Sequence, residues 1–334
     1  MKKTALIGAG AIAYCHARAL KQLDVEICGV IDVNTDSARK LADACGTRVV
    51  SHLAEIAGEL DMVHLCTPPS FRIDYARTAM EAGCHVFMEK PMAITPADGQ
   101  ILVDMAEANG VRLMVDFNHR FRAGFQELLR IVQSGEIGEV VNVFINRMGM
   151  LGGNAGTQHD TWRRKAGTVC GMSIESLSHD IDMVWQLLGP VASVRADVRG
   201  TFADAPAFDN NVNALLSMRN GAMGVLHASW SSHLKMSARG VVGTRGTVIL
   251  EGDDLFDFNR LRLRTADMPH EHLIRLDDVY HFATCPSYLN ANRYFLECQD
   301  KGEDGSASGR HALETLKISH AILESARTQT AIPL

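Results

Sequence analysis

At 334 residues the chain is longer than one ordinary core needs and suits two domains of common size, with 46% hydrophobic residues to fill both. A formal net charge of −6 leaves no basic field for a nucleic-acid backbone or an anionic lipid surface, so neither nucleic acid nor membrane is expected as a partner. Eight scattered cysteines with no Cys-x-x-Cys read as reduced thiols in a cytoplasmic protein, not as disulfides or zinc ligands.

The opening Met1-Lys2-Lys3-Thr4 carries two positive charges, but the apolar run behind it is broken at Gly8 and Gly10. That pattern is a buried strand and a turn, not a signal peptide, and no apolar stretch reaches the roughly 18 residues of a membrane span. Gly8-x-Gly10-x-x-Ala13 stands between this strand and a helix reaching about Lys21. In that context Gly8 permits a sharp turn, Gly10 lets a pyrophosphate approach the backbone, and Ala13 lets the helix lie close on the sheet. The free amides at the helix start, around Ala11 and Ile12, then meet the phosphates. A second strand over 25–31 ends in Asp32, near the offset expected of a ribose-binding acid. Its carboxylate would accept from the ribose hydroxyls and repel a 2′-phosphate, favouring NAD over NADP. Asn34 and Asp36 are better placed to cap the next helix.

The alternation continues with a helix over 37–45, a strand over 48–50, a short helix near Leu53 and a strand over 61–66, a doubly wound pattern. Thr67-Pro68-Pro69 follows at the carboxyl edge, where open parallel sheets bind ligands; a loop lining the cofactor and a plain turn both suit it. A helix over 71–82 leads to a strand over 85–88 that ends in Glu89-Lys90-Pro91. A lysine at the end of a buried strand, held extended by the following proline, projects into the cofactor cleft, where it could polarise a substrate oxygen. A helix over 96–108 and a strand over 111–117 close a first domain, 1–118.

After Asn118-His119-Arg120-Phe121 the pattern changes. A helix over 125–134 and a strand over 140–147 precede a long polar loop, 148–170. Its Trp162 and Arg163 suit stacking on and hydrogen-bonding a polyol, and equally a lid or a subunit contact. Residues 171–188 read as one helix with an apolar stripe of Ile174, Leu177, Ile181, Val184 and Leu188. Glu175, His179 and Asp182 follow i, i+4, i+7 spacing on another face, either as a proton relay or as a solvated polar face. Alternating runs from 191 onward, joined by turns such as Asn220-Gly221, indicate a mostly antiparallel sheet. Helices over 287–300 and 310–327 complete an α+β second domain, 119–334. His270 and His272 are the only tight pair of potential metal ligands, and no metal is expected there.

Together, Gly8-x-Gly10-x-x-Ala13, Glu89-Lys90-Pro91 and the helix carrying His179-x-x-Asp182 resemble the Gfo/Idh/MocA family, which includes glucose-fructose oxidoreductase and inositol dehydrogenase. The resemblance covers essentially the whole chain. It implies an N-terminal Rossmann domain with a doubly wound parallel sheet, then an α+β domain with a large open sheet. It also implies NAD as cofactor and hydride transfer between nicotinamide and a carbinol or keto carbon of a sugar, sugar derivative or cyclitol. Lys90 would bind the reacting oxygen and His179 would be the acid/base. With them, Thr67, Pro68 and Glu89 are expected on the cofactor, and Asn118, Trp162, Arg163 and Glu175 on the substrate. Glu175 stands where the family usually has Asp, which keeps a carboxylate but changes its reach, and 168–171 lacks the glycine triplet common there. Some relatives instead cleave glycosides by transient oxidation with retained NAD, and others sense NAD and sugar without turnover. The intact Lys90 and His179 argue against the sensing reading. The broad apolar sheet face implies a homodimer or homotetramer.

Overall fold

The computed structural model describes residues 1–150, 171–202, 207–278 and 286–334. They divide into two compact units, Met1–Asn118 with His281–Leu316 and His119–Tyr280 with Lys317–Leu334. Among the described residues no helix is long and apolar enough to cross a membrane.

In the first unit, β1 (Lys3–Ile7), β2 (Glu26–Ile31), β3 (Met62–Leu65), β4 (His85–Glu89) and β5 (Leu113–Asp116) form a sheet in the order β2-β1-β3-β4-β5. Every adjacent pair is parallel. Covered on both faces, its strands read as nearly unbroken apolar runs. Helices α1 (Ala11–Gln22), α2 (Thr35–Cys45), α3 (Arg72–Glu81) and α4 (Pro96–Ala108) connect them. Asn34 caps α2 by accepting from the Ser37 amide, and Gly46 ends it in the left-handed conformation. The strand expected over 48–50 is reduced to one bridge between Val30 and Val49, because it lies outside β2 at the sheet edge, where Val49 is exposed.

The sequence expectation put all of 119–334 in one domain, yet α8 (Pro286–Lys301) and the first part of α9 (Gly309–Thr328) belong with the first unit. Two surfaces draw them there. Tyr288, Ala291, Asn292 and Phe295 form a buried stripe on α8, which packs along α1, and Ser308 bridges Met114 at the otherwise open edge of β5.

Among its described residues the second unit is built on nine strands: β6 (Val140–Met148), β7 (Val191–Arg199), β8 (Asn211–Met218), β9 (Met223–Ser229), β10 (Met236–Gly243), β11 (Gly246–Gly252), β12 (Arg260–Thr265), β13 (His272–Arg275) and β14 (Ile332–Pro333). Their order is β13-β12-β11-β10-β6-β9-β8-β7-β14, antiparallel throughout except for the β6–β9 pair. Period-two alternation buries Val212, Ala214, Leu216 and Met218 of β8 and turns Leu215 outward. The inner face packs against α5 (Ala123–Gln133), α7 (Ser178–Leu188) and the end of α9, with Phe125, Ile181, Val184 and Ile322 in the core. On the outer face Leu215, Met223, Met236 and Leu273 are exposed.

The single helix expected over 171–188 is interrupted. A four-residue α6 (Met172–Glu175) is separated from α7 by Ser176 and Leu177. The amides of Ser176 and Leu177 converge on the Met172 carbonyl, at 3.1 and 2.9 Å, while the Ser178 hydroxyl donates to the Glu175 carbonyl at 2.9 Å. Short hydroxyl side chains compete in this way for the carbonyls a helix would use.

Candidate active site

All carboxyl ends of a parallel sheet lie on one edge. Ile7 pairs with Ile31 and Leu65, Leu65 with Met88, and Glu89 with Asp116, which keeps those ends level. Gly8, Asp32, Thr67, Lys90 and Asn118 therefore all follow on that edge. Gly8 has φ +98°, and a Cβ there would lie 2.8 Å from the Cys66 carbonyl carbon, so only glycine fits where the turn passes β3. A Cβ on Gly10 would meet nothing within 4 Å, so the space before α1 is open. Helix α1 starts at Ala11 and Ile12 with Gly10 as N-cap and no capping side chain, while Ala13 is fully buried against the sheet. Asp32 accepts from the Ala9 amide at 2.6 Å and from the Asn34 amide at 2.7 Å, one on each oxygen. A carboxylate has further lone pairs for two hydroxyl groups. Uncapped helix amides facing open space beside a fixed acid are the donors and acceptors that a pyrophosphate and a ribose diol require. These residues fit NAD.

A residue that sequence reasoning passed over ties the next two loops together. Arg72, 2% exposed at the start of α3, donates from Nε and Nη2 to the Thr67 carbonyl at 3.0 and 2.6 Å. Its Nη1 donates to the carbonyls of Glu89 and Pro91, one on either side of the half-buried Lys90. Thr67, Pro68, Glu89 and Lys90 are thus brought to one place. Asn118, expected on the substrate, is buried, and its Nδ2 donates to the Ser287 hydroxyl at 3.1 Å. The Lys90–Pro91 peptide is cis.

In the second unit Glu175 ends α6 and His179 lies in the first turn of α7, each 6% exposed. Asp180 and Asp182 are fully buried, so this is not a solvated polar face. The His179 ring stacks on His119, with centroids 4.0 Å apart and planes at 14°. Burial, then His179 and the charges of Arg122, Arg239 and Arg147, push His119 well below the usual histidine range, so its ring is neutral at pH 7. Asp182 binds Arg120 through both carboxylate oxygens, and one of them also accepts from Gln186 at 3.1 Å. Asp180 bridges two strands. It bonds Arg239 of β10 at 3.0 Å and forms an ion pair with Arg147 of β6 at 2.8 Å. Burial lowers Arg239 to about 10, with Asp180 opposing the shift. Trp162 and Arg163 lie outside the described residues. His119, Arg120 and Asp180 were also passed over; a signal was the dense polar run 118–122 directly after a buried strand.

Residues 2–117 match the model of an oxidoreductase family with an NAD-binding Rossmann fold, and residues 125–249 match the GFO/IDH/MocA C-terminal domain. An inositol 2-dehydrogenase of Rhizobium meliloti (strain 1021) is 26% identical over 341 residues, 98% of this chain and 98% of that protein. A D-apiose dehydrogenase of Paraburkholderia graminis is 26% identical over 343 residues, 99% of this chain and 89% of that protein. The solved structure of a levoglucosan dehydrogenase complex with NADH and levoglucosan has the same fold, with TM-score 0.88 at 19% identity, covering 99% of each chain. The two matched domains, in this order and over most of the chain, establish that it belongs to the Gfo/Idh/MocA family of NAD-binding oxidoreductases.

Proposed function

We propose that the protein is an NAD-dependent dehydrogenase or reductase acting on a CH–OH carbon of a sugar, sugar derivative or cyclitol. The observation that carries the reading is the Asp32 carboxylate, held by two backbone amides beside the open start of α1, which suits a ribose without a 2′-phosphate. The similar proteins named for inositol, apiose and levoglucosan support a polyhydroxylated substrate. Bound nicotinamide supplies the redox chemistry by accepting or returning a hydride. The chain's own residues do the rest. Lys90 holds the substrate oxygen and stabilises the negative charge that grows on it. His179 takes the proton of that oxygen in oxidation and returns it in reduction. Glu175 supports the charge that His179 gains or that Lys90 carries. Its stack on neutral His119 keeps the His179 ring in one plane. Trp162, Arg163 and Asn118 complete the polyol contacts.

The test is to mix the protein with NAD or NADP and a panel of sugars, cyclitols and sugar acids. Free NADH should accumulate in step with product. Product without net NADH would point to glycoside cleavage by transient oxidation, and NAD binding without turnover would point to a sensor. Asp32→Ala should erode the preference for NAD, and tighter binding of NADPH than NADH by the unmodified protein would overturn the assignment.

The outer sheet face supports a homodimer or homotetramer, since Leu215 and Met223 are 58% and 53% exposed on adjacent strands. Light scattering at micromolar concentration should give a mass above that of one chain. A monomer would remove the idea.

A further inference from the structure

Five buried side chains of the first unit form one hydrogen-bonded string. Thr4 Oγ1 lies 2.9 Å from His64 Nδ1, and His64 Nε2 lies 2.8 Å from Asn292 Oδ1. Asn292 Nδ2 lies 3.0 Å from His16 Nδ1, and His16 Nε2 lies 3.0 Å from Glu89 Oε1. None of the five is more than 8% exposed.

One fixed point settles where the protons are. Asn292 Nδ2 also lies 2.8 Å from the Tyr288 carbonyl oxygen, which can only accept. The amide nitrogen is therefore on that side, and Asn292 offers its other N–H to His16 and its oxygen to His64. His16 Nδ1 is then an acceptor, and the ring proton sits on Nε2, facing Glu89. His64 carries its proton on Nε2 and accepts from the Thr4 hydroxyl. Burial and the neighbouring His16 lower His64 to about 3, so it holds one proton across neutral pH. All four bonds point the same way, each donor polarising the next, and the string ends on Glu89. The same assignment disfavours a metal. Ligand atoms of His16, Glu89 and Asp116 lie within 4.8 Å of one another, but the nitrogen that would face the ion carries the proton.

We infer that His16 and Asn292 are positioning residues for Lys90, acting through Glu89; the inference rests on the proposed role of Lys90. Glu89 ends β4 immediately before Lys90. Its side chain is held by His16, and its carbonyl and that of Pro91 are held by Arg72. The backbone on both sides of Lys90 is fixed before any ligand arrives, so substrate binding need not order it. Asn292 chooses the His16 tautomer that makes this possible.

His16→Gln and His16→Asn, in the full chain, separate the donor from the ring. Glutamine can place its amide nitrogen near the Nε2 position and donate to Glu89, whereas asparagine reaches only the Nδ1 position. The His16→Asn variant should lose about 10- to 100-fold in kcat, the scale set by a misplacement near 1 Å. NADH affinity should change by no more than about twofold, since the loss falls on the transition state. His16→Gln should recover most of the kcat.

Asn292→Asp turns the donor facing His16 into an acceptor, so His16 must carry a second proton to keep both bonds. The groups facing His16 are Glu89 from β4, Asp116 from β5 at 3.6 Å, His64 from β3, and Tyr288 and Asn292 from α8. In this variant kcat for oxidation should acquire a fall with rising pH that oxidation by the unmodified protein lacks. Equal kcat in the two His16 variants, or no new pH step in Asn292→Asp, overturns the inference. Should the His16 variants fail to fold, the Asn292→Asp profile decides. Lys90→Ala distinguishes the two claims. Unchanged turnover there defeats the Lys90 reading, while lost turnover with full activity in His16→Asn defeats only the positioning role.

Discussion

Lys90→Ala is expected to lower turnover by about a hundred- to a thousandfold while NADH binds nearly as before, because in the proposed mechanism its charge acts on the substrate oxygen only as negative charge develops. His179→Ala should cost about a hundred- to ten-thousandfold, the range for removal of a general base. The two differ in their response to pH. With His179 as the proposed base, oxidation by the unmodified protein should rise with pH and then level off once the base is free. Reduction should show the reverse, since it needs the protonated ring. Neutral His119 contributes no step of its own near pH 7, because burial has already taken its titration well below the usual histidine range. The midpoint should therefore disappear in His179→Ala. A near-full oxidation rate with an unchanged profile in that variant would show that another group carries the proton.

The second large effect is on stability. Asp180→Ala should destabilise the protein by about 3–5 kcal/mol, measured as a lower urea midpoint, because it leaves buried guanidinium groups without their counter-charge. Arg147 is 1% exposed and Arg239 2%, and both pair with this one carboxylate. Arg239 also lies 4.4 Å from the Phe258 ring, a contact too weak to replace a carboxylate. A loss below about 1 kcal/mol would mean that water or other groups already neutralise the pair.

The alternation of the first unit was legible because parallel strands covered on both faces write themselves as short apolar runs, as Ala5-Leu6-Ile7 and Val86-Phe87-Met88 do. The period of two in β8 likewise revealed an open sheet with one covered face. Local signals also put Gly8, Asp32 and Lys90 directly after strand ends, because each strand is marked by its own neighbours in sequence. What escaped was chemistry assembled across the chain. Asn292 meets His16 from 276 positions away and His64 from 228, and no periodicity reports such a pairing. His64 within Met62-Val63-His64-Leu65 was the available hint, a titratable group in a fully buried strand that needed partners from elsewhere. The break between Glu175 and His179 was hidden for another reason. A serine hydroxyl such as that of Ser178 can take a helix carbonyl without disturbing the apolar stripe on which a helix is recognised.

The return of α8 to the first unit has a consequence for how the chain is made. A ribosome that has released the first 118 residues has released every strand of the parallel sheet, but neither the asparagine that aligns its two inner histidines nor the serine that bridges its last strand. Until those emerge, His16 and His64 are polar groups in an apolar interior without their amide partner, a state that favours opening to water. The nucleotide-binding unit begins first and finishes late, so strands β6–β13 of the second unit emerge while the first is still unsealed, and the second unit itself waits for Lys317–Leu334, which brings Ile322 to its core and β14 to its edge.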